Sequence, residues 1–315
     1  MSKRKKVSVA LIAGGRSGER PVSLKGAAEV EKALDRDKFL VKRYDPVSDL
    51  GQLLNDAAGI DVAFILLHGQ WGEDGSVQGF LDLLDIPYQC SGLLGSAMAM
   101  DKNVAKIMYR QAGLPVADWQ MVSPEEAEDP DALIDRFGLP LVVKPVREGS
   151  SLGMTIAMTA KELSRGIRLA FEHDSSVMVE QYIKGREITV GVMGNETLQP
   201  LPVVEIIPGD EYQFFDYTAK YVPGASREVC PAQLDHSLTE KAQQYGVEAH
   251  RCLMLQGYSR TDMMISEAGE LILLETNTIP GMTPTSLLPQ AAAAFGLDFS
   301  RFLERLLDLA LDRNR

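Results

Sequence analysis

The chain is 315 residues long, 45% hydrophobic, and carries a formal net charge of −12. That length predicts two or three domains, and the apolar content supports packed cores rather than disorder. The acidic balance excludes the basic surface on which non-specific nucleic-acid binding depends, so no nucleic-acid partner is expected.

The N-terminus opens on a basic cluster, "SKRKK", followed by an apolar run. A secretory signal begins in the same way, but this run is short and ends in Gly-Gly-Arg without a small-residue cleavage site. It reads instead as a solvated tail before a buried strand, "KVSVALIAGG" (6–15). "PVSLKGAAEVEKALDRDKF" (21–39) predicts a helix, "LVKRYDP" a second strand and "DVAFILLHG" (61–69) a third. Strands alternating with helices predict a doubly wound parallel sheet covered on both faces. Such sheets bind ligands at the carboxyl ends of their strands. The loops "GGRSGER" and "HGQWGEDG" are therefore candidate ligand loops.

"SAMAMDKNVAKIMYRQAG" (96–113) has a helical period and reads as one helix stopped by Gly113. A domain boundary is expected near 96. The next part alternates "DALIDRFG" (helix), "LPLVVKP" (strand), "MTIAM" (strand), "AKELSRGIRLAFEH" (helix) and "SVMVEQYI" (strand). From about 184 the pattern changes to longer strands and loops, then a helix (238–255), a strand pair and an amphipathic C-terminal helix whose apolar stripe is core packing. The expected division is 1–96, 97–184 and 185–315, α/β first and α+β afterwards. No apolar stretch reaches the roughly 18 residues of a membrane helix. The three scattered cysteines, Cys90, Cys230 and Cys252, form neither a disulfide nor a zinc pattern. A cytoplasmic protein without a membrane partner is expected.

The strand pair "GYSRTDMMISEAGELILLETNTIPGM" (257–282) carries the sharpest constellation. A two-residue turn at Ala268-Gly269 would pair Glu267 with Glu270. That register sets Asp262 opposite Glu275 and Arg260 opposite Asn277, all four on one face. Two carboxylates and an amide carbonyl are hard oxygen ligands that suit Mg²⁺ and its substrate phosphates. The alternative is a solvated strand face with a surface ion pair.

"VVKPVREGSSLGM" (142–154) sets Lys144 at the end of an apolar strand, where Pro145 stops the ladder. The glycines and serines behind it offer N–H and hydroxyl donors to an anion, and the lysine wants a counter-charge. Lys102 reads on periodicity alone as a solvated helix position. Glu180 and Glu187, around "QYIKGR", read equally as surface charge or as contacts to a nucleoside.

The ordered set "GGRSGERPVSL", "LHGQWGEDGSVQGFLDLLDIPY", "MDK", "VVKPVREGSSLGM", "VEQYIKGREITV", "FDYTAKY", "RTDMMI" and "LLETNTIPGMTPTSLLP" resembles the D-alanine–D-alanine ligases over nearly the whole chain. The resemblance implies an ATP-grasp fold behind a parallel-sheet N-terminal domain, with ATP and D-alanine as substrates. It implies that Asp262, Glu275 and Asn277 hold two Mg²⁺ ions, with Mn²⁺ as a substitute. Lys102, Lys144 and Lys220 would meet the phosphates, under a loop containing Glu148, Ser150 and Ser151. Glu180 and the backbone of Ile183 would meet adenine, and Glu187 the ribose. Glu19 would bind the first substrate's ammonium beside His68, and Ser286 and Leu287 the second substrate's carboxylate. Arg260 and the Gly281 N–H would stabilise an oxyanion. Tyr221, Ser150 and Glu19 would form a hydrogen-bonded triad. Tyr221 favours the dipeptide over a D-lactate ester; D-alanine–D-lactate and D-alanine–D-serine ligases are the rival readings. A homodimer is implied as well. The sequence departs from the family pattern at Pro21, Gln70-Trp71, Phe215, Thr276 and Ile279.

Overall fold

The computed structural model describes residues 5–209 and 226–312. The apolar run near the N-terminus forms strand β1 (Val7–Ile12), buried from Val9 onward. Helix α1 (Arg20–Ala33) starts with a proline in its first turn, where the missing N–H costs no helical hydrogen bond. Strand β2 (Phe39–Tyr44), helix α2 (Leu50–Asp56) and strand β3 (Val62–Ile65) follow, and among the described residues the parallel sheet runs β2-β1-β3. The order reverses at β1, so the loops leaving β1 and β3 lie side by side at the carboxyl edge, the place where such sheets take ligands. The expected strands 6–15 and 61–69 stop at Ile12 and Ile65; their last residues belong to these loops.

Helices α3 (Ser76–Leu83), α4 (Leu93–Met100) and α5 (Lys102–Gln111) come next. The single helix expected over 96–113 is in fact two. Asp101 adopts an extended conformation (φ −85°, ψ 101°), and its side chain accepts from the Val104 N–H, capping α5. A second sheet, ordered β4-β7-β5-β6, is built from β4 (Trp119–Val122), β5 (Leu141–Pro145), β6 (Thr155–Ala157) and β7 (Val177–Gln181). Helices α6 (Asp131–Phe137) and α7 (Ala160–His173) accompany it, and Leu133, Leu163 and Ile167 join Val143 and Val179 in its core.

The largest sheet is antiparallel, ordered β11-β10-β8-β12-β13, with β9 added on β8. Its strands are β8 (Gly185–Gly194), β9 (Gln199–Pro200), β10 (Val204–Pro208), β11 (Ser226–Val229), β12 (Gly257–Ser266) and β13 (Leu271–Asn277). Side chains alternate with period two. Ile188, Val190 and Val192 face a core shared with Tyr109 of α5 and with Ala242 and Ala249 of α8 (His236–Cys252). On the other face, a Cβ at Gly191 would come within 2.4 Å of the tip of the Leu288 side chain, so the absent side chain leaves room for Leu288 of helix α9 (Leu287–Ala294). Helix α10 (Phe299–Leu311) then returns to the N-terminal sheet. Phe302, Leu303, Leu306 and Leu307 are fully buried in one core with Val9, Leu11 and Phe64. Each is worth roughly 2 kcal/mol of burial.

Candidate active site

Among the described residues, two of the three sheets meet over a cleft of about 330 Å³. Its walls carry Lys102, Lys144, Glu148 and Ser151 on one side and Asp262 and Glu275 on the other. Val142, Ile156, Met264 and Leu274 supply apolar wall, and Glu180, Ile183 and Glu187 also line it.

The paired carboxylates arise on β12 and β13. Arg260 lies opposite Asn277 and Asp262 opposite Glu275, the register read from the sequence. The turn is not the expected two-residue one, and Glu267 does not pair with Glu270. The Ser266 N–H donates to the Glu270 carbonyl and the Gly269 N–H to the Ser266 carbonyl, leaving a three-residue loop whose Gly269 is left-handed (φ 79°). The ladder near the turn is therefore one residue out of step, with Met263 opposite Leu273. A bulge at Leu274 restores the register, and it turns Leu274 and Glu275 together toward the cleft.

Asp262 is buried and heavily engaged. Arg260 donates Nε to Oδ1 (2.9 Å) and a terminal nitrogen to Oδ2 (2.7 Å). Thr189 donates to Oδ1 (2.6 Å) and the Asn277 amide to Oδ2 (3.0 Å). Those four bonds fill the carboxylate's acceptor positions. A cation would join Asp262 only by displacing one of these donors, and turning over the Asn277 amide would exchange a donor for a further oxygen ligand. Two carboxylates and an amide oxygen on one face fit a hard divalent cation such as Mg²⁺.

Lys102, at the first position of α5, donates to the Glu148 carbonyl (2.6 Å), and its ammonium lies 3.7 Å from Glu275. The solvated reading of this lysine is thereby corrected: the break at Asp101 turns it into the cleft. Lys144 lies 2.5 Å from Glu180 Oε1, and Lys106, which the sequence reading passed over, lies 2.7 Å from Glu180 Oε2. Burial pushes the Glu180 carboxyl up, but Lys144 and Lys106 more than reverse this and hold it at about 2. Glu180 and Lys106 are both buried, so the surface-charge alternative for Glu180 does not hold. The spacing Lys102–Lys106, one helical turn, was the available signal for the missed lysine.

The glycine loop is bent by Ser150 and Ser151, both left-handed (φ 51° and 57°), a conformation that costs side-chain-bearing residues about 1–2 kcal/mol each. The Ser150 hydroxyl donates to Glu19 Oε1, which ties the loop to the start of α1. Glu19, His68 and Glu73 are brought together by the neighbouring loops after β1 and β3. Burial holds the His68 imidazole below its ordinary value, against the charge of Glu19 and the Ile279 carbonyl, to which the ring donates. Glu73 accepts from the N–H groups of Gly69 (2.7 Å) and Ile279. Burial and then the nearby Glu19 charge push its carboxyl up to about 8. His68 and Glu73 thus grip the two sides of residue 279.

Beyond that residue, a Cβ on Gly281 would lie 3.1 Å from Ser286 Oγ, so Gly281 and the cap of α9 are adjacent. Ser286 Oγ also accepts from the Thr283 N–H (3.1 Å), and Leu287 is buried. Lys220, Tyr221 and Phe215 lie outside the described residues.

A family model described as D-ala D-ala ligase C-terminus matches residues 108–308, and one described as D-ala D-ala ligase N-terminus matches 48–91. The D-alanine–D-alanine ligase of Desulfotalea psychrophila is 57% identical over 311 residues, 98% of this chain and 97% of the relative. That of Syntrophobacter fumaroxidans is 54% identical over 307 residues, 98% of each. The crystal structure of the Bacillus anthracis D-alanine–D-alanine ligase complexed with ATP matches with a TM-score of 0.84 at 34% identity over 97% of each chain. The VanG D-Ala:D-Ser ligase of Enterococcus faecalis matches at 0.83 and 31% identity, covering 97% of this chain and 100% of its own. The Lys102–Lys144 and Asp262–Glu275 pairs line one cleft, Ser150 ties the Glu19 loop to its glycine loop, and the chain that builds this arrangement belongs to the D-alanine–D-alanine ligase family.

Proposed function

We infer that the protein is an ATP-dependent ligase that joins two D-alanine molecules into D-alanyl-D-alanine, a building block for peptidoglycan precursors. The observation that carries this reading is the shared cleft, in which lysines 102 and 144 confront the carboxylates of Asp262 and Glu275. The γ-phosphoryl group of ATP passes to the carboxylate of the first D-alanine, releasing ADP. The amine of the second D-alanine attacks the resulting acylphosphate, and inorganic phosphate leaves.

Lys102 and Lys144 bind the phosphates and offset their charge as it shifts in transfer. Ser151 and the N–H groups of its loop cradle them, with Glu148 at the loop's entrance. The apolar wall, the Ile183 backbone and the Glu180 segment hold adenine, and Glu187 the ribose. Glu19 holds the first D-alanine's ammonium near His68. Arg260 and the Gly281 N–H donate to the oxyanion that forms in the second step, a role worth about a hundredfold or more in rate. Ser286 and Leu287 seat the second D-alanine's carboxylate. Asp262, Glu275 and Asn277 would hold Mg²⁺, which supplies charge neutralisation and orientation of the phosphates when bound. Lys220 and Tyr221 complete the proposed set.

We also propose a homodimer, a cytoplasmic location where ATP is supplied, and the division 1–96, 97–184 and 185–315. No helix among the described residues is long and apolar enough to cross a membrane.

A phosphate-release assay with ATP and D-alanine, L-alanine, D-lactate or D-serine tests the reading. D-Alanine alone should support release with dipeptide as product. Release that ignores D-alanine would overturn it, and a preference for D-serine as second substrate would move the chain to the rival specificity.

A further inference from the structure

Lys106 is 1% exposed and projects from α5 onto Glu180, itself 4% exposed. Lys144, 8% exposed, takes the other oxygen of the same carboxylate. Burial pushes the Lys106 ammonium down and the Glu180 charge opposes this; with both lysines protonated, two ammonium groups share one carboxylate and the buried trio carries a net charge of +1. A structural ion pair needs one lysine, and burying a second cation without its own counter-charge is costly. The face of the Trp119 indole, 5.2 Å from Lys106 Nζ, offsets part of that cost. Lys144 and Glu180 line the cleft, whereas Lys106 does not. Lys106 stands behind them and can reach a ligand only through Glu180.

We propose that Lys106 is a positioning residue for phosphate binding: it keeps Glu180 compensated, so that Lys144 can give its ammonium to an anionic phosphate. With Lys106 absent, Lys144 and Glu180 neutralise each other, and drawing Lys144 toward phosphate strips a buried carboxylate of its only counter-ion. With Lys106 present, the trio has one positive charge to spare and presents it at the cleft wall. The competing role for Lys106 is to orient Glu180 toward the base of the nucleotide, and it predicts a different dependence on the ligand's phosphates. The inference rests on the reading of this cleft as an ATP site.

The test is calorimetric binding of ATP and of adenosine to the parent protein, Lys106→Met, Lys106→Arg, Glu180→Gln and the double variant Lys106→Met/Glu180→Gln. Thermal unfolding without nucleotide reports the folding of each. Lys106→Met should weaken ATP about tenfold, as expected for members of one charged network, and leave adenosine within about twofold. Lys106→Arg should keep most of the ATP affinity. The double variant should bind ATP as well as Glu180→Gln alone, because a neutral Glu180 no longer competes for Lys144. Equal losses for ATP and adenosine, or a double variant that binds ATP about tenfold more weakly than Glu180→Gln alone, would overturn the proposal. If Lys106→Met does not fold, a tenfold loss in Lys106→Arg would do so. A parent protein that binds no ATP would sink the functional reading itself.

Discussion

Asp262 lies directly across from Glu275, although the ladder on the turn side of that pair runs one residue out of step. The three-residue loop at 267–269 displaces the register, and the bulge at Leu274 puts it back. The bulge also seats an apolar side chain next to a carboxylate on the same face, so one irregularity furnishes both apolar wall and a carboxylate to the cleft.

Glu275→Ala removes a proposed metal ligand and almost no core volume. Dipeptide synthesis should fall by about a thousandfold or more, in line with the loss of transition-state charge stabilisation. The thermal midpoint should stay within a few degrees of the parent. Turnover near the parental rate at ordinary Mg²⁺ concentrations would remove Glu275 from the ligand set.

Leu274→Ala trims the apolar wall and leaves the Asp262–Glu275 pair in place. ATP binding should weaken by roughly 1–2 kcal/mol. The KM for D-alanine should not change. Titration with ATP checks it, and an unaltered affinity would mean that the nucleotide does not rest on this wall.

Glu73 sets a pH dependence on stability. Its carboxyl is raised from 4.5 to about 8 in the folded protein, so the folded state binds the extra proton between those values. The stability tied to that proton is fully present below pH 4.5 and is lost as pH rises through about 8. Glu73→Gln keeps an acceptor for the N–H groups of Gly69 and Ile279 but cannot ionise. Urea midpoints of the ligand-free variant should decline less than the parent's between pH 5 and 8.5, and the variant should be the more stable protein at the alkaline end. Parallel curves would show that Glu73 is already ionised at neutral pH.

Tyr109→Phe tests the seam behind the face that carries Asp262 and Glu275. The Tyr109 hydroxyl donates to Thr276 Oγ1 (2.6 Å), and Thr276 lies 3.0 Å from Thr261 Oγ1, linking α5 to both strands of the hairpin. Loss of that bond should cost about 1 kcal/mol in chemical denaturation. A larger loss would mean that the seam also fixes the packing of α5.

The opposition of Asp262 to Glu275 was legible because two turn-side irregularities cancel: the loop is one residue longer than expected and the bulge absorbs the difference. Thr276 departs from the family pattern, yet it has a clear structural role beside Tyr109. The break at Asp101 was not legible, since Met100 and Lys102 continue a helical period and only the capping hydrogen bond to Val104 ends it. Lys106 escaped notice for a related reason. A lysine on a helix is ordinarily solvated, and its burial depends on Glu180, 74 residues later in the chain. The loops at Glu19 and His68 were legible by position, because parallel strands direct their exits to one edge. Glu73 was not singled out, because its partner Ile279 comes from β13's exit, far along the sequence.

Helix α10 closes the core that β1 and β3 begin, and Ser300 Oγ donates to the Ala33 carbonyl at the end of α1. During translation the opening parallel sheet leaves the ribosome with an apolar face for which the covering side chains, Phe302 to Leu307, have not yet been made. Its maturation must wait for the more than two hundred residues between Ile65 and Phe302 to be made, and a nascent chain stalled before α10 would be a natural client for chaperones.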